Sequence, residues 1–124
     1  QTVNITDANF KAYLVSNAAI NTNGDNEIQV SEAEAFTGII VPVGLGITDL
    51  TGIEDFVNIT MLYCNLNQLT SLDISKNTAL KVLSCDNNLL THLDVSKNID
   101  LLTLDFSSIG FEQEYRFSRI KPCS

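Results

Sequence analysis

Two stretches decide the fold. Asn67-Gln68-Leu69-Thr70-Ser71-Leu72-Asp73-Ile74-Ser75-Lys76-Asn77 is nearly copied by Asn88-Leu89-Leu90-Thr91-His92-Leu93-Asp94-Val95-Ser96-Lys97-Asn98, an offset of 21 residues. A fixed period of that size marks a stacked solenoid, because one such unit cannot bury its apolar face alone.

Extending the register in both directions gives three coils. Inward positions are Ile47, Leu50, Ile53, Phe56, Ile59, Leu62 and Cys64 in the first, and Leu69, Leu72, Ile74, Leu80, Leu83 and Cys85 in the second. The third has Leu90, Leu93, Val95, Leu101, Leu104 and Phe106. The first coil is one residue longer than the second, which places an insertion within residues 51–57. The spacing Ile59-x-x-Leu62-x-Cys64-x-x-Asn67-x-Leu69, repeated from Leu80 to Leu90, fits the leucine-rich repeat, in which each coil gives one strand of a parallel sheet. Asn67 and Asn88 fall at the corner after the strand, where an inward amide can satisfy backbone groups left by the turn. The equivalent residue in the third coil is Ile109, so the asparagine ladder ends there.

Ahead of the coils, Gly38 to Ile47 is β-branched and broken by Gly and Pro, and reads as an irregular first strand. Pro42 suits an edge beside a cap. Before it, Thr6-Asp7 opens a helix over about residues 7–17, with Phe10, Tyr13 and Leu14 on one face. A second helix is expected over Ser31 to Phe36. Between the two helices lies Asn21-Thr22-Asn23-Gly24-Asp25-Asn26-Glu27-Ile28-Gln29-Val30-Ser31-Glu32, whose order of oxygen-bearing residues resembles the EF-hand calcium loop. Calcium takes six to eight oxygens, and such a loop supplies them from positions 1, 3, 5, 7 and 12. Those positions are Asn21, Asn23, Asp25, Glu27 through its carbonyl, and Glu32, with Gln29 acting through a water. Ile28 would turn inward. Position 1 is Asn21 in place of the usual Asp, and position 6 is Asn26 in place of Gly. With Asp25 and Glu32 as the ligating carboxylates, calcium binding is expected to be weak. The alternative is a polar loop that holds its turn by side-chain hydrogen bonds and binds nothing.

The second and third coils, with Leu-Thr-x-Leu-Asp-x-Ser-Lys-Asn and a Cys at the strand end, resemble the 21-residue leucine-rich repeats of exported Bacteroidetes proteins. In that family an EF-hand-like segment commonly precedes the repeats. Asn9 to Leu14, Thr22 to Asp25 and Ser31 to Ala35 fit that segment. The resemblance covers roughly residues 5–106 and implies an exported or cell-surface protein with a binding role. The expected fold class is thus an α/β repeat: a short right-handed leucine-rich-repeat solenoid with a helix-loop-helix cap. The parts are an EF-hand-like cap (1–38), the coils (39–109) and a C-terminal cap or tail (110–124), all in one structural domain.

Composition narrows the partners. The chain has 124 residues, with 15 acidic against 7 basic and a formal charge of −8. That balance repels phosphate backbones and argues against nucleic acid. The longest apolar run, Gly38 to Ile47, is too short for a membrane span. The chain opens on Gln1 without a signal peptide, which reads as a mature or trimmed product. Three cysteines make no disulfide scaffold. Cys64 and Cys85 share a column on adjacent strands, with side chains parallel and too far apart for a disulfide, and read as small buried hydrophobes. Cys123 falls in the tail. The sequons at Asn4 and Asn58 are short enough to arise by chance.

His92 is the only histidine and faces outward, away from the main sheet. Asp73, Asp94, Ser75, Ser96, Lys76, Lys97, Asn77 and Asn98 repeat on that outer side and read as turn chemistry and solvation. Phe111, Tyr115, Phe117 and Ile120 would supply the apolar side of a terminal cap. The residues pointing out of the main sheet are Met61, Tyr63, Asn65, Val82, Ser84, Asp86, Thr103, Asp105 and Ser107. They form the candidate binding face, with Tyr63 and Met61 as anchors and an unidentified protein or glycan as ligand. No acid/base pair, nucleophile elbow or phosphate loop is present, so catalysis is not expected. A structural spacer or cap domain without a ligand of its own is the alternative.

Overall fold

The computed structural model describes residues 1–105 and the backbone of 114–116. Phe106, Ser107, Ile109, Phe111, Phe117, Ile120, Cys123 and the side chain of Tyr115 lie outside the described residues.

The chain begins with two short helices, α1 (Ala8–Val15) and α2 (Val30–Ala35). Asp7 caps α1, its Oδ1 accepting the N–H groups of Asn9 and Phe10. That satisfies two donors that the first turn leaves without an intrahelical partner. Phe10 and Leu14 are fully buried on one face of the helix. Helix α2 starts in a capping box between Gln29 and Glu32. Ahead of α1, the first residues bridge to the loop between the helices: Val3 donates to the Ile28 carbonyl and Val30 to the Gln1 carbonyl. This pairing holds Ile28 inward, where it is fully buried.

A four-stranded parallel sheet follows in the order β1 (Ile39–Ile40), β2 (Met61–Tyr63), β3 (Val82–Ser84) and β5 (Thr103–Asp105). Strand β4 (His92–Asp94) lies apart from that sheet and pairs in parallel with β6 (Glu114–Arg116). The register pairs Ile39 with Met61, Met61 with Val82, and Val82 with Thr103. The first step is one residue longer than the other two. The segment in which the sequence places the insertion contains a 3-10 turn, Ile53–Asp55.

The inward columns hold. All the inward residues of the first coil are buried, and Leu72 and Leu104 are the partly buried members of the next two. The corner amides behave as their column requires. Asn67 accepts from Leu45 and Ile47 and donates to the carbonyls of Pro42 and Cys64. Asn88 accepts from Leu69 and donates to the carbonyls of Cys64 and Cys85.

One expectation fails on the outer side. Asn77 and Asn98 are fully buried rather than solvated. Asn77 donates both amide hydrogens to the carbonyls of Ile53 and Phe56, and Asn98 donates to those of Ile74 and Asn77. Each amide turns inward because the preceding coil's turn leaves two carbonyls facing it, and a buried carbonyl without a donor is costly. The neighbouring Asp73 and Asp94 do serve the turns, each accepting from the N–H and hydroxyl of the serine two residues on.

The residues ahead of α1 pack closely on the first coil. A Cβ on Gly52, whose φ is +112°, would stand 2.9 Å from Ile5 Cγ1 and 3.1 Å from the Asn4 carbonyl oxygen. Glycine is needed there both for the backbone and for the close approach.

Candidate functional site

The outward face of the main sheet is laid out by strand alternation, since every second residue on a strand points to one side. One row runs Ile39, Met61, Val82, Thr103, and the next continues from Tyr63 to Ser84 and Asp105. Asn65 and Asp86 follow beyond the strand ends. The Tyr63 hydroxyl lies 4.0 Å from Met61 Sδ, so these two anchors pack on each other. The face is uneven. Met61, Tyr63, Asn65, Val82 and Asp86 are half-buried, and Thr103 and Asp105 are exposed. Ser84 is buried at 7% exposure beneath its neighbours, and its hydroxyl donates to Asp86. It shapes the face rather than offering contact area.

Sequence reasoning missed the apolar end of this face. Ile39 is 44% exposed and Val41 45% exposed, beside Met61 and Tyr63. The Val41 N–H donates to the Tyr13 hydroxyl of α1 at 2.7 Å, which ties the edge of the sheet to the cap. It also missed Leu66, which is 53% exposed and has a left-handed backbone, φ +59°. Holding a non-glycine residue there costs about 1–2 kcal/mol. The repeat contains the signal: Cys64-Asn65-Leu66-Asn67 aligns with Cys85-Asp86-Asn87-Asn88, so a leucine stands where the next coil has an asparagine.

Cys64 and Cys85 are buried free thiols in the column behind the face. Burial pushes the Cys64 thiol well up. It does the same for Cys85, to about 12, with Asp86 and Asp105 adding to the effect. Both are therefore protonated at neutral pH and poor nucleophiles. His92 is exposed on β4, with the Thr91 hydroxyl 3.5 Å from its Nδ1. A groove of about 290 Å³ on the outer side is lined in part by Asp49, Glu54, Asp73 and Lys76. Asp49 and Asp73 spend their carboxylates on turns there.

In the loop between the helices the candidate ligands hydrogen-bond to one another and to the backbone. Asn23 Nδ2 donates to Asp25 Oδ2 and Gln29 Oε1, and Gln29 Nε2 also reaches Asp25 Oδ2, so positions 3, 5 and 9 converge. Asn21 is 5% exposed, and its Oδ1 has no hydrogen-bond partner. Glu27 reaches outward instead, its side chain paired to Lys11 at 2.9 Å, which leaves its carbonyl as the relevant atom. Glu32 is buried and accepts the N–H groups of Gln29 and Asn23 and the Thr22 hydroxyl. Burial pushes its carboxyl up, but these donors outweigh that and hold it below its ordinary value. The side-chain oxygens of Asn23, Asp25 and Glu32 already accept hydrogen bonds within the chain, and the amide nitrogens of Asn23 and Gln29 are turned toward Asp25, so a hard cation would have to displace these donors. Among the described residues no three His, Cys, Asp or Glu side chains come together as a metal cluster. The charge available to a cation is thus that of Asp25 and Glu32.

Coil stacking, the parallel sheet and the amide ladders define a leucine-rich-repeat-like α/β fold. Solved structures agree. The chain is similar to an internalin, InlF, from Listeria monocytogenes, at 22% identity and a TM-score of 0.73, over 90% of this chain and 32% of that one. It is also similar to the functional domain of InlJ from Listeria monocytogenes, which includes a cysteine ladder, at 31% identity and a TM-score of 0.71 over 97% of this chain and 29% of that one. The chain therefore spans about a third of the length of these structures. The CBM51-2 and INT domains of Clostridium perfringens ZmpB share the fold more distantly, at 23% identity and a TM-score of 0.54, over 76% of this chain and 20% of that one. No family model matches the chain, and no curated protein matches it. No helix among the described residues is long and apolar enough to cross a membrane.

Proposed function

We propose that this chain is a non-enzymatic binding module that presents its leucine-rich-repeat sheet face to a protein or glycan, as part of an exported or cell-surface protein. The observation that carries this reading is the half-exposed apolar block of Ile39, Val41, Met61 and Tyr63 on one side of a rigid parallel sheet. Adjoining exposed apolar residues are a feature of interaction sites. The likeness to internalins supports a surface role. The period of 21 residues and the EF-hand-like loop support kinship with the Bacteroidetes-type exported repeats. The loop's oxygens would hold calcium weakly and so stiffen the cap on which β1 rests.

The test is a glycan and protein array probed with the intact chain, followed by Tyr63→Ala and Met61→Ala. Binding that falls at least tenfold in either variant supports the sheet face as the site. Binding unchanged in both would place the site elsewhere or leave the chain as a spacer.

A further inference from the structure

The strand register aligns Gly44, Leu66 and Asn87 at the corner that follows each strand, and all three have left-handed backbones, with φ of +68°, +59° and +56°. Glycine enters that region freely, and asparagine is the side chain that tolerates it best. Leu66 has neither advantage. It is also 53% exposed, so about half of its apolar surface faces water. A half-exposed apolar side chain held in a disfavoured conformation gains little burial for its strain, and such outliers collect at functional sites.

Its neighbour supplies the complementary feature. The Leu66 N–H donates to the Asp86 carbonyl at 3.1 Å, so Asp86 stands alongside on the next coil. The Asp86 carboxylate accepts the Ser84 hydroxyl and the Asn87 amide, both neutral donors, each at 3.0 Å. The whole chain carries a formal charge of −8. A few residues carry most of an interface's binding energy, and charge across it sets partner choice.

We propose that Leu66 and Asp86 form the anchor of the docking surface, and that the partner is a protein segment in which an apolar side chain stands next to a lysine or arginine. This rests on the sheet face being the binding side.

The experiment pans a random peptide library on the intact chain, then measures the selected peptides by calorimetry against Leu66→Asn, Asp86→Asn and Tyr63→Ala. Selected peptides pair an apolar residue with Lys or Arg. Leu66→Asn raises the melting temperature, because the backbone strain is relieved, and at the same time weakens these peptides at least tenfold. Asp86→Asn weakens them and flattens their dependence on salt. A purely structural role for Leu66 would move stability and binding together. Peptides lost with Tyr63→Ala but indifferent to Leu66→Asn and Asp86→Asn overturn this proposal and leave the sheet face standing. Peptides indifferent to all three overturn both, and a library that yields acidic peptides, or none, overturns the anchor.

Discussion

Asp7 takes Thr48 on one carboxylate oxygen while capping α1 with the other: Oδ2 accepts the Thr48 N–H at 2.9 Å and its hydroxyl at 3.2 Å. The exchange is reciprocal, since the Thr6 hydroxyl donates to Asp49 at 2.6 Å. This clasp ties the start of α1 to the first coil. Asp7→Ala removes an N-cap worth about 1 kcal/mol and two interelement hydrogen bonds worth about 0.5–1.5 kcal/mol each. Urea unfolding should show a loss of about 2–4 kcal/mol, with Thr48→Val losing the smaller share.

The same clasp sets an acid limit. Burial pushes the Asp7 carboxyl up, but the donors from Thr48, Phe10 and Asn9 hold it below its ordinary value. Hydrogen bonds from Thr51 and Thr6 do the same for Asp49. A carboxyl depressed in the folded state contributes stability above its unfolded pKa, and that contribution is lost as pH falls through the folded value. Stability should therefore drop below about pH 4. Asp49→Asn should be less stable than the parent at neutral pH and lose less on acidification. An equal acid loss in parent and variant would show that the clasp does not titrate as stated.

The buried amides of the outer side give a third test. Asn77→Ala strips the donors from two carbonyls of the preceding coil and should cost about 2–4 kcal/mol by urea unfolding. Asn77→Asp keeps the shape, retains at most one of the two donors while protonated, and loses that one once ionised. Its carboxyl would be raised in the folded state, so the variant's deficit against the parent grows as pH rises through the ordinary carboxylate range.

These amides also show where the sequence stops being readable. Inward apolar positions from Ile47 to Leu104 are legible because strand alternation and the 21-residue column both select them. On the turn side no alternation operates. An asparagine that satisfies buried carbonyls has the same letter as one that faces water, and Asn77 looks no different from Asn87. Ile39 and Val41 escape the candidate face for a different reason: the first register step is longer by one residue, so the column that finds Met61 from Val82 misses Ile39. The proximity of the Asn23, Asp25 and Gln29 side chains is legible because loop spacing alone brings them together, whereas the turning of the Asn23 and Gln29 amide nitrogens toward Asp25 is not. The hydrogen bonds that also hold Glu32 are not, since they depend on where the backbone N–H groups of Asn23 and Gln29 point.

The thiols behind the sheet should be silent. With both raised by burial, Cys64 and Cys85 should resist iodoacetamide in the native chain at pH 8 and label fully in denaturant, as read by peptide mass spectrometry. Native labelling of Cys85 at the rate of a free thiol would mean that the face opens.

Calcium provides the last test, because the loop proposed to hold it already closes itself with N–H donors. Ligand that binds only the folded chain stabilises it by about 1.4 kcal/mol at ten times its dissociation constant. Melting should therefore rise between chelator and millimolar calcium. Asn21→Asp adds a charge to the loop and removes the Nδ2 that donates to the Val15 and Asp25 carbonyls, so it should tighten calcium while destabilising the calcium-free chain, where the new carboxylate is buried against those carbonyls without a cation. Asp25→Asn should abolish the calcium response. Melting that is the same in calcium and in chelator, for the parent and for Asn21→Asp alike, would leave the loop as a hydrogen-bonded turn whose oxygens serve only the chain itself.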